Sequence, residues 1–182
     1  MPKRLIKAAP VRTVSWTAMD ALVRKANVDD AEQVAAVMNA VIAEGMFTLF
    51  DRPFSAEDER NFISSLGTRS ALYVAEIDRE IVGVQSIDLF SNLAHSTNHV
   101  ATMGTWLRGD VRGRGIGRLL ATESFRFAKS NGYTKIVVQV LAGNERALRF
   151  YRGLGFGDIG VARKHVRLAG RFHDEVYLEK LF

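Results

Sequence analysis

The chain has 182 residues, 47% of them hydrophobic, and carries a formal net charge of +5 at pH 7. This is enough apolar sequence for one domain with a sizeable core, and no apolar run reaches the roughly 18 residues of a membrane-spanning helix. The chain contains no cysteine, which excludes disulfides and thiolate catalysis and suits a reducing compartment, so we expect a cytoplasmic location.

The positive charge is concentrated at the N-terminus. Four basic side chains and no acid precede Trp16, namely Lys3, Arg4, Lys7 and Arg12. The rest of the chain therefore carries a net charge of only +1. We predict a flexible basic extension over residues 1–18, followed by one domain over 19–182. A docked arm, a membrane-surface segment and a true start at Met19 stay open. Because the excess charge lies in the extension, we expect neither a nucleic-acid nor a membrane partner.

Hydrophobic spacing predicts the elements of the first half of the chain. A strand at 21–26 precedes a helix whose apolar residues recur at helical spacing from Ala31 to Ile42 and which ends at Gly45. A second helix begins at the near capping box of Ser55. Its buried face is predicted to comprise Phe62, Ile63 and Leu66. Strands at 72–77 and 81–89 form a hairpin, in which Gly83 marks a bulge.

The second half alternates strands and helices. The predicted order is a strand at 99–107, a helix at 116–130 and a strand at 134–141. Such a unit is a right-handed parallel crossover. A helix at 144–154 and a closing hairpin of strands at 156–168 and 172–181 complete the chain.

The segment 103–120 predicts an anion cradle, because it leads from a strand through a glycine-rich turn into a helix. The turn contains Gly113, Gly115 and Gly117, interleaved with Arg112, Arg114 and Arg118. Glycines let a ligand approach the backbone, and the unpaired amides of a helix N-terminus attract anions. A dinucleotide fingerprint is excluded because Arg118 replaces its third glycine, and the chain has no G-x-x-x-x-G-K-[ST] loop. We expect a phosphate-bearing ligand and no metal.

Two motifs carry a family resemblance. Arg112-x-x-Gly115-x-Gly117 resembles the pyrophosphate-binding signature R/Q-x-x-G-x-G/A of the GCN5-related N-acetyltransferase (GNAT) family. Downstream, the run NERALRFYRGLGF at 144–156 matches that family's second signature, N-x-x-A-x-x-F/Y-Y-x-x-x-G-F. The resemblance covers the chain from about Leu22 onward. It implies an α/β fold with a mixed, twisted sheet of about seven strands flanked by about four helices, and acetyl-CoA as cosubstrate.

The resemblance also implies where acetyl-CoA binds. The pantetheine arm would pair with the backbone of Thr105, Trp106 and Leu107. The pyrophosphate would meet the side chain of Arg112 and the backbone of Gly113, Arg114, Gly115, Ile116, Gly117 and Arg118. Asn144 would contact the pantetheine, although it could equally be a plain helix N-cap. Residues 45–53 would cover the acceptor pocket. Met46, Phe47, Leu49 and Phe50 are then candidates for shaping it, or else ordinary core residues.

Tyr151 corresponds to the tyrosine with which resembling enzymes protonate the leaving thiolate. Its ordinary pKa of about 10 exceeds the roughly 8.5 of a thiol, so it holds a proton at neutral pH. The general base departs from the family patterns. The two strand positions that carry a glutamate in other members are occupied by Ala101 and Gln139. His99 shares a strand face with Ala101 and could act through water, or it could be structural.

The missing carboxylate bears on the acceptor. Deprotonating a lysine of pKa about 10.4 at pH 7 costs about 4.6 kcal/mol, against about 1.4 kcal/mol for an α-amine near 8, so a weak base favours an α-amine. The margin shrinks for free amino acids, whose α-amine is more basic than that of a peptide. Looser patterns resemble the bacterial L-amino acid and phosphinothricin-type acetyltransferases; these are His99-Val100-Ala101, Gly160 and Gly170-x-x-x-Asp174. A substrate carboxylate could meet Arg52, Arg163, Lys164 or Arg167.

We therefore predict transfer of acetyl to the primary amine of a small molecule such as an amino acid. The transfer would be direct, because no cysteine can hold an acyl group. A protein N-terminus or a polyamine is the alternative acceptor. A catalytically silent acyl-CoA-binding regulatory module is the alternative outside enzymes. The sequence leaves the oligomeric state open, a homodimer being only the habit of the family.

Overall fold

The computed structural model describes residues 20–182 as a seven-stranded sheet with four α-helices. The strands are β1 Leu22–Lys25, β2 Ala71–Ile77, β3 Glu80–Leu89, β4 Val100–Leu107, β5 Lys135–Leu141, β6 Gly157–Leu168 and β7 Arg171–Leu181. The helices are α1 Ala31–Ala43, α2 Ala56–Ser65, α3 Ile116–Ser130 and α4 Glu145–Gly153. This confirms the predicted fold class. The predicted extension of residues 1–18 lies outside the described residues.

The strand order is β1-β2-β3-β4-β5-β7-β6, and within residues 20–182 the pair β4–β5 is parallel while every other pair is antiparallel. The predicted crossover through α3 produces that parallel pair. The two strands of this pair are joined through a helix on one face of the sheet. They lie in the middle of the sheet, and the candidate site lies between them.

Two cores cover the two faces of the sheet. Helices α3 and α4 pack on one face, where Ile116, Leu120, Phe127 and Ala128 of α3 are buried as predicted. Helices α1 and α2 pack on the other face over β2 and β3. No helix among residues 20–182 is both long and apolar enough to span a bilayer.

Three local expectations differ from the structure. The prediction that Phe62 is buried is wrong, because α2 turns Ile63 inward and leaves Phe62 39% exposed. The bulge in β3 falls at Val82, one residue before Gly83. Gly83 is small for another reason, since a Cβ there would lie 2.5 Å from Leu107 Cδ2. The strands predicted at 72–77 and 81–89 leave three residues for the hairpin turn, whereas β3 begins at Glu80 and the turn is the pair Asp78 and Arg79, both at positive φ, as in a type I′ turn.

Candidate active site

Strands β4 and β5 separate from each other halfway along their length. Their parallel pairing extends over three residue pairs and ends at Thr102 and Val137, although the strands continue to Leu107 and Leu141. Each strand stays paired on its other side, with β3 and β7 respectively. The two facing edges beyond Thr102 are therefore free of each other, and the cleft opens between them.

The cleft has two cavities that meet. We call them the loop-side cavity, of about 370 Å³, and the sheet-side cavity, of about 360 Å³. The first is bounded by the glycine turn and α4, and the second by β3, β4, β5 and residues 47–50. Their shared lining consists of Phe47, Thr105, Asn144, Ala147 and Tyr151. A ligand lying across both cavities would pass directly over these five residues.

The glycine turn forms the far wall of the loop-side cavity. Gly113 and Gly115 adopt φ values of +79° and +88°, and Gly115 is the N-cap of α3. Side chains are disfavoured at such φ values, which explains the glycines. Ile116 is 1% exposed and packs in the core, so it can offer a ligand only its backbone amide. The helix N-terminus and the missing Cβ atoms fit a pyrophosphate.

The three arginines of the turn have different surroundings. The Arg112 guanidinium pairs with both oxygens of Glu44, donates to Leu107 O at 2.9 Å and lies over the Phe47 ring. Its charge is thus already matched. A hydrogen bond from Arg108 lowers the pKa of Asp110, and the charge of Arg114 makes a smaller contribution in the same direction. Arg118 is exposed and lines the loop-side cavity.

Sequence reasoning missed two cations on α4. Arg146 and Arg149 both line the loop-side cavity, and Arg146 Nη2 lies 3.0 Å from where a Cβ on Gly113 would be. Their spacing of three residues in the run N-E-R-A-L-R places them on one helical face. That spacing was the available signal. Together with Arg118 they place positive charge around the loop-side cavity, and Arg149 also lies 3.8 Å from Glu145 Oε2 in an exposed ion pair.

Tyr151 lies at the junction of the two cavities. It is 5% exposed, and burial raises the pKa of its hydroxyl to about 12, opposed by a hydrogen bond to Thr105. The hydroxyl donates to Thr105 Oγ1 at 3.0 Å. Thr105 in turn is held by Gln85, which is held by Ser124, and neither of these residues was singled out from the sequence.

Asn144 combines the two roles that the sequence left open. Its Oδ1 accepts the Ala147 N–H at 3.0 Å and caps α4, while the residue, 7% exposed, lines both cavities. The cap uses one end of the amide. The same side chain therefore fixes the start of α4 and borders the cleft.

Aromatic side chains roof the sheet-side cavity. Phe50 stacks on Trp106 with ring centroids 5.9 Å apart, and Trp106 Nε1 donates to Thr48 Oγ1 at 3.3 Å. The Trp106 ring folds over Gly104, where a Cβ would lie 2.4 Å from it. Phe47, Leu49 and Phe50 line this cavity, whereas Met46 does not and is 53% exposed. Three of the four residues expected to shape a pocket thus border one.

The structure does not bring His99 into the cleft. His99 is exposed and precedes β4, six residues from Thr105, a separation of about 20 Å along a strand. Its role as a base stays a prediction that this placement does not support. Ala101 is fully buried in the core, and Gln139 lines the sheet-side cavity.

A carboxylate that the sequence did not single out lies beside the sheet-side cavity. Glu175 of β7 is 1% exposed and pairs across the sheet with Leu141, a lining residue. Its Oε1 has no hydrogen-bond partner, and Oε2 lies 3.7 Å from His165 Nε2. The neighbouring Tyr177 hydroxyl lies 3.3 Å from the same His165 nitrogen. The side chain of residue 175 could not be placed from sequence, because β7 joins the site only through sheet pairing.

Comparison with known proteins decides the family. The sequence profile of the acetyltransferase (GNAT) family matches residues 37–156, which is two thirds of the chain and includes both motifs. The chain belongs to the GNAT family. YwnH of Bacillus subtilis, provisionally named a phosphinothricin acetyltransferase, is 27% identical to this GNAT protein over 146 residues, covering 80% of this chain and 89% of YwnH. The resemblance that the two motifs carried is confirmed.

Solved structures with the same fold belong to proteins whose names refer to different acceptors. A phosphinothricin acetyltransferase from Sinorhizobium meliloti, solved in complex with AcCoA, superposes with a TM-score of 0.83 at 20% identity over 90% of this chain and 89% of its own. A ribosomal-protein-alanine N-acetyltransferase from Brucella melitensis also gives 0.83, at 22% identity over 88% and 99%. These likenesses establish the GNAT fold, and the equal scores do not separate a small-molecule acceptor from a protein acceptor.

Proposed function

We propose that this GNAT protein transfers an acetyl group from acetyl-CoA to the primary amine of a small molecule. The observation that carries the proposal is the pair of cavities that meet over Thr105 and Tyr151. The loop-side cavity offers helix amides, a glycine turn and the cations Arg118, Arg146 and Arg149 to the phosphates of CoA. The sheet-side cavity then receives the acceptor.

Acetyl-CoA, consumed as a substrate, supplies an acetyl group activated as a thioester. The chain contributes orientation and charge. The unpaired edge of β4 beyond Thr102 can pair with the amides of the pantetheine arm and direct a backbone N–H at the thioester carbonyl. The Tyr151–Thr105 pair, which lines both cavities, would lie beside the sulfur of bound CoA. Direct transfer is expected because the chain has no cysteine to carry an acyl group.

The sheet-side cavity supports a small acceptor. Its volume of about 360 Å³ is at the lower end of the range for small-molecule sites. Within residues 20–182, its lining includes no lysine, arginine or carboxylate. An acceptor amine of low pKa needs less help to lose its proton, which favours an α-amine over a lysine side chain, by a smaller margin for a free amino acid than for a peptide. The cations considered for the carboxylate of an amino acid, Arg52, Arg163, Lys164 and Arg167, are not among the lining residues of this cavity.

A panel of acceptors tests the proposal. Thiol release from acetyl-CoA is measured with free amino acids, polyamines and N-terminal peptides. We expect turnover with one class of small amine and a loss of about a hundredfold in kcat for Tyr151→Phe. The matched control is Tyr133→Phe, which also removes a buried hydroxyl bonded at 2.7 Å, to Arg69 O, away from the cleft. Turnover of peptides alone would favour the protein acceptor, and binding without any turnover would favour a regulatory module.

A further inference from the structure

A chain of four polar side chains runs from the core to the junction of the cavities. Ser124 Oγ donates to Gln85 Oε1 at 2.6 Å, and Gln85 Nε2 donates to Thr105 Oγ1 at 2.7 Å. Tyr151 donates to the same Thr105 oxygen at 3.0 Å. Ser124 and Gln85 are fully buried, at 0% exposure. Burying a glutamine and a serine in an apolar core is costly unless their polar groups are hydrogen-bonded, as they are here.

The direction of these hydrogen bonds determines what Thr105 can do. The oxygen of the Gln85 amide faces Ser124, and the amide nitrogen faces Thr105. A hydroxyl has two acceptor positions and one proton. Gln85 fills one acceptor position of Thr105, and Tyr151 fills the other when Tyr151 is the donor of the hydroxyl–hydroxyl contact. In that arrangement the proton of Thr105 has no acceptor within this chain of four residues.

That proton has one open direction. Thr105 lines both the loop-side and the sheet-side cavity, so its free side borders the cleft at their junction. We propose that Thr105 is a fixed hydrogen-bond donor to the sulfur of CoA, and that Gln85 and Ser124 are positioning residues that keep its proton turned toward the cleft. The inference rests on the proposed function, since it assumes that CoA occupies this cleft.

The properties of Tyr151 agree with a donor of this kind. Burial raises the pKa of Tyr151 to about 12, which is far above the pKa of roughly 8.5 of a thiol. Complete proton transfer from Tyr151 to a thiolate is therefore uphill. A hydrogen bond from Thr105 stabilises the charge on sulfur without breaking an O–H bond, and Tyr151 strengthens that donor by bonding to its oxygen.

The thiol pKa of bound CoA tests the inference without any acceptor. Ultraviolet absorbance of the thiolate is followed against pH for CoA bound to the wild type, Thr105→Val and Thr105→Ser. Binding is measured separately by calorimetry. We expect the thiol pKa in the wild type to lie about one unit below that in Thr105→Val, a tenfold change in the ionisation constant. Thr105→Ser keeps a hydroxyl and should restore the wild-type value. Thr105→Ala replaces Thr105→Val if the latter does not fold.

The positioning residues and the titratable contact of Thr105 are tested in the same way. Ser124→Ala releases the Gln85 amide, and we expect it to move the thiol pKa part of the way toward the Thr105→Val value with little change in CoA affinity. The control Thr122→Val removes a hydroxyl from the exposed side of α3, where it donates to Arg118 O, and should change nothing. Tyr151→Phe is measured because Tyr151 contacts Thr105.

The outcomes separate the inference from the proposed function. If CoA binds and Thr105→Val leaves the thiol pKa unchanged while Tyr151→Phe raises it, Tyr151 is the direct donor and the inference is overturned alone. If CoA does not bind to the wild type, the proposed function falls and the inference with it. A raised thiol pKa in Thr105→Val, restored in Thr105→Ser, supports both.

Discussion

At the scale of single residues, the site is a compromise between burial and hydrogen bonding. Tyr151 belongs to the core of the α3 and α4 face and also borders the cleft. Burial disfavours its charged form, so it stays protonated at any pH at which the protein is expected to work. A group that lies in the core in this way also links the chemistry of the site to the stability of the fold.

The first prediction concerns stability at high pH. The Tyr151 pKa is raised from 10 to about 12 on folding, so the unfolded chain loses this proton first as pH rises. Its contribution is complete below pH 10 and is lost as pH rises toward 12, about 2 to 3 kcal/mol in all. We expect Tyr151→Phe to lose less stability than the wild type between pH 9 and pH 12 in urea unfolding. Equal losses would contradict this pKa.

The second prediction concerns the glycine turn. Gly113→Ala introduces a side chain at φ +79° beside Arg146, and Gly132→Ala does so at φ +73° where nothing lies within 4 Å. Both substitutions should destabilise the fold by about 1 kcal/mol, because the backbone strain is the same. Calorimetry should show weaker CoA binding in Gly113→Ala alone. Equal CoA affinity in the two variants would separate the turn from CoA binding.

At the scale of elements, the site depends on how strands and loops are held apart or together. The cleft exists because β4 and β5 pair at one end only, each being held by its outer neighbour. The segment between α1 and α2 is brought over the cleft by the ion pair of Arg112 with Glu44 and by the stacking of Phe50 on Trp106. Arg112, a residue of the first motif, thus also has a structural role.

The third prediction weighs the Arg112–Glu44 pair. Both this pair and Arg152–Asp158 use two nitrogens against two oxygens. The Arg112 side chain is 13% exposed, whereas that of Arg152 is 45% exposed. Replacement by lysine keeps the charge and loses the fork. We expect Arg112→Lys to lower the free energy of unfolding by about 1 to 2 kcal/mol and Arg152→Lys by less than about 0.5 kcal/mol. Similar losses would show that burial of the pair is unimportant.

The fourth prediction concerns the closing hairpin. Residues 163–165 form a bulge opposite Asp174, whose Oδ1 accepts the Lys164 N–H at 2.7 Å while Lys164 adopts φ +52°. Asp174→Ala removes the acceptor and should cost about 1 kcal/mol in urea unfolding. Asp174→Asn keeps an acceptor oxygen at the same place and should cost less. If the two variants were equally destabilised, charge and not the hydrogen bond would hold the bulge.

At the scale of the whole molecule, the two cavities and the two cores are all formed by residues 20–182. The four positive charges near the N-terminus belong to residues that the structure does not describe. The described part of the chain therefore forms both cavities of the candidate site by itself.

The fifth prediction follows from this separation. A protein lacking residues 1–18 should have the CoA affinity and the free energy of unfolding of the full chain, because the site and both cores are intact. Affinity for DNA in a salt series should be equally weak for the two proteins, since we expect no nucleic-acid partner. A steep salt dependence that is present only in the full chain would instead assign nucleic-acid binding to the extension.

Much of the fold was predictable because its signals are local. Helical spacing identified α1 and α3, and the glycine turn and the run from Asn144 to Phe156 identified the family. The errors were local as well. Nothing in the sequence near Phe62 says which side of α2 meets α1, and a bulge at Val82 depends on the register with β2.

The sequence by itself determined the family, the order of the elements and the residues of the two motifs, because these depend on spacing along the chain. Only the tertiary structure decided which groups meet in the cleft. It brings Gln85 and Ser124 to Thr105, Arg146 to Gly113 and Glu44 to Arg112, and it leaves His99 at the far end of β4. The physical reason is that these contacts join residues far apart in sequence, through sheet register and helix packing that no local pattern records.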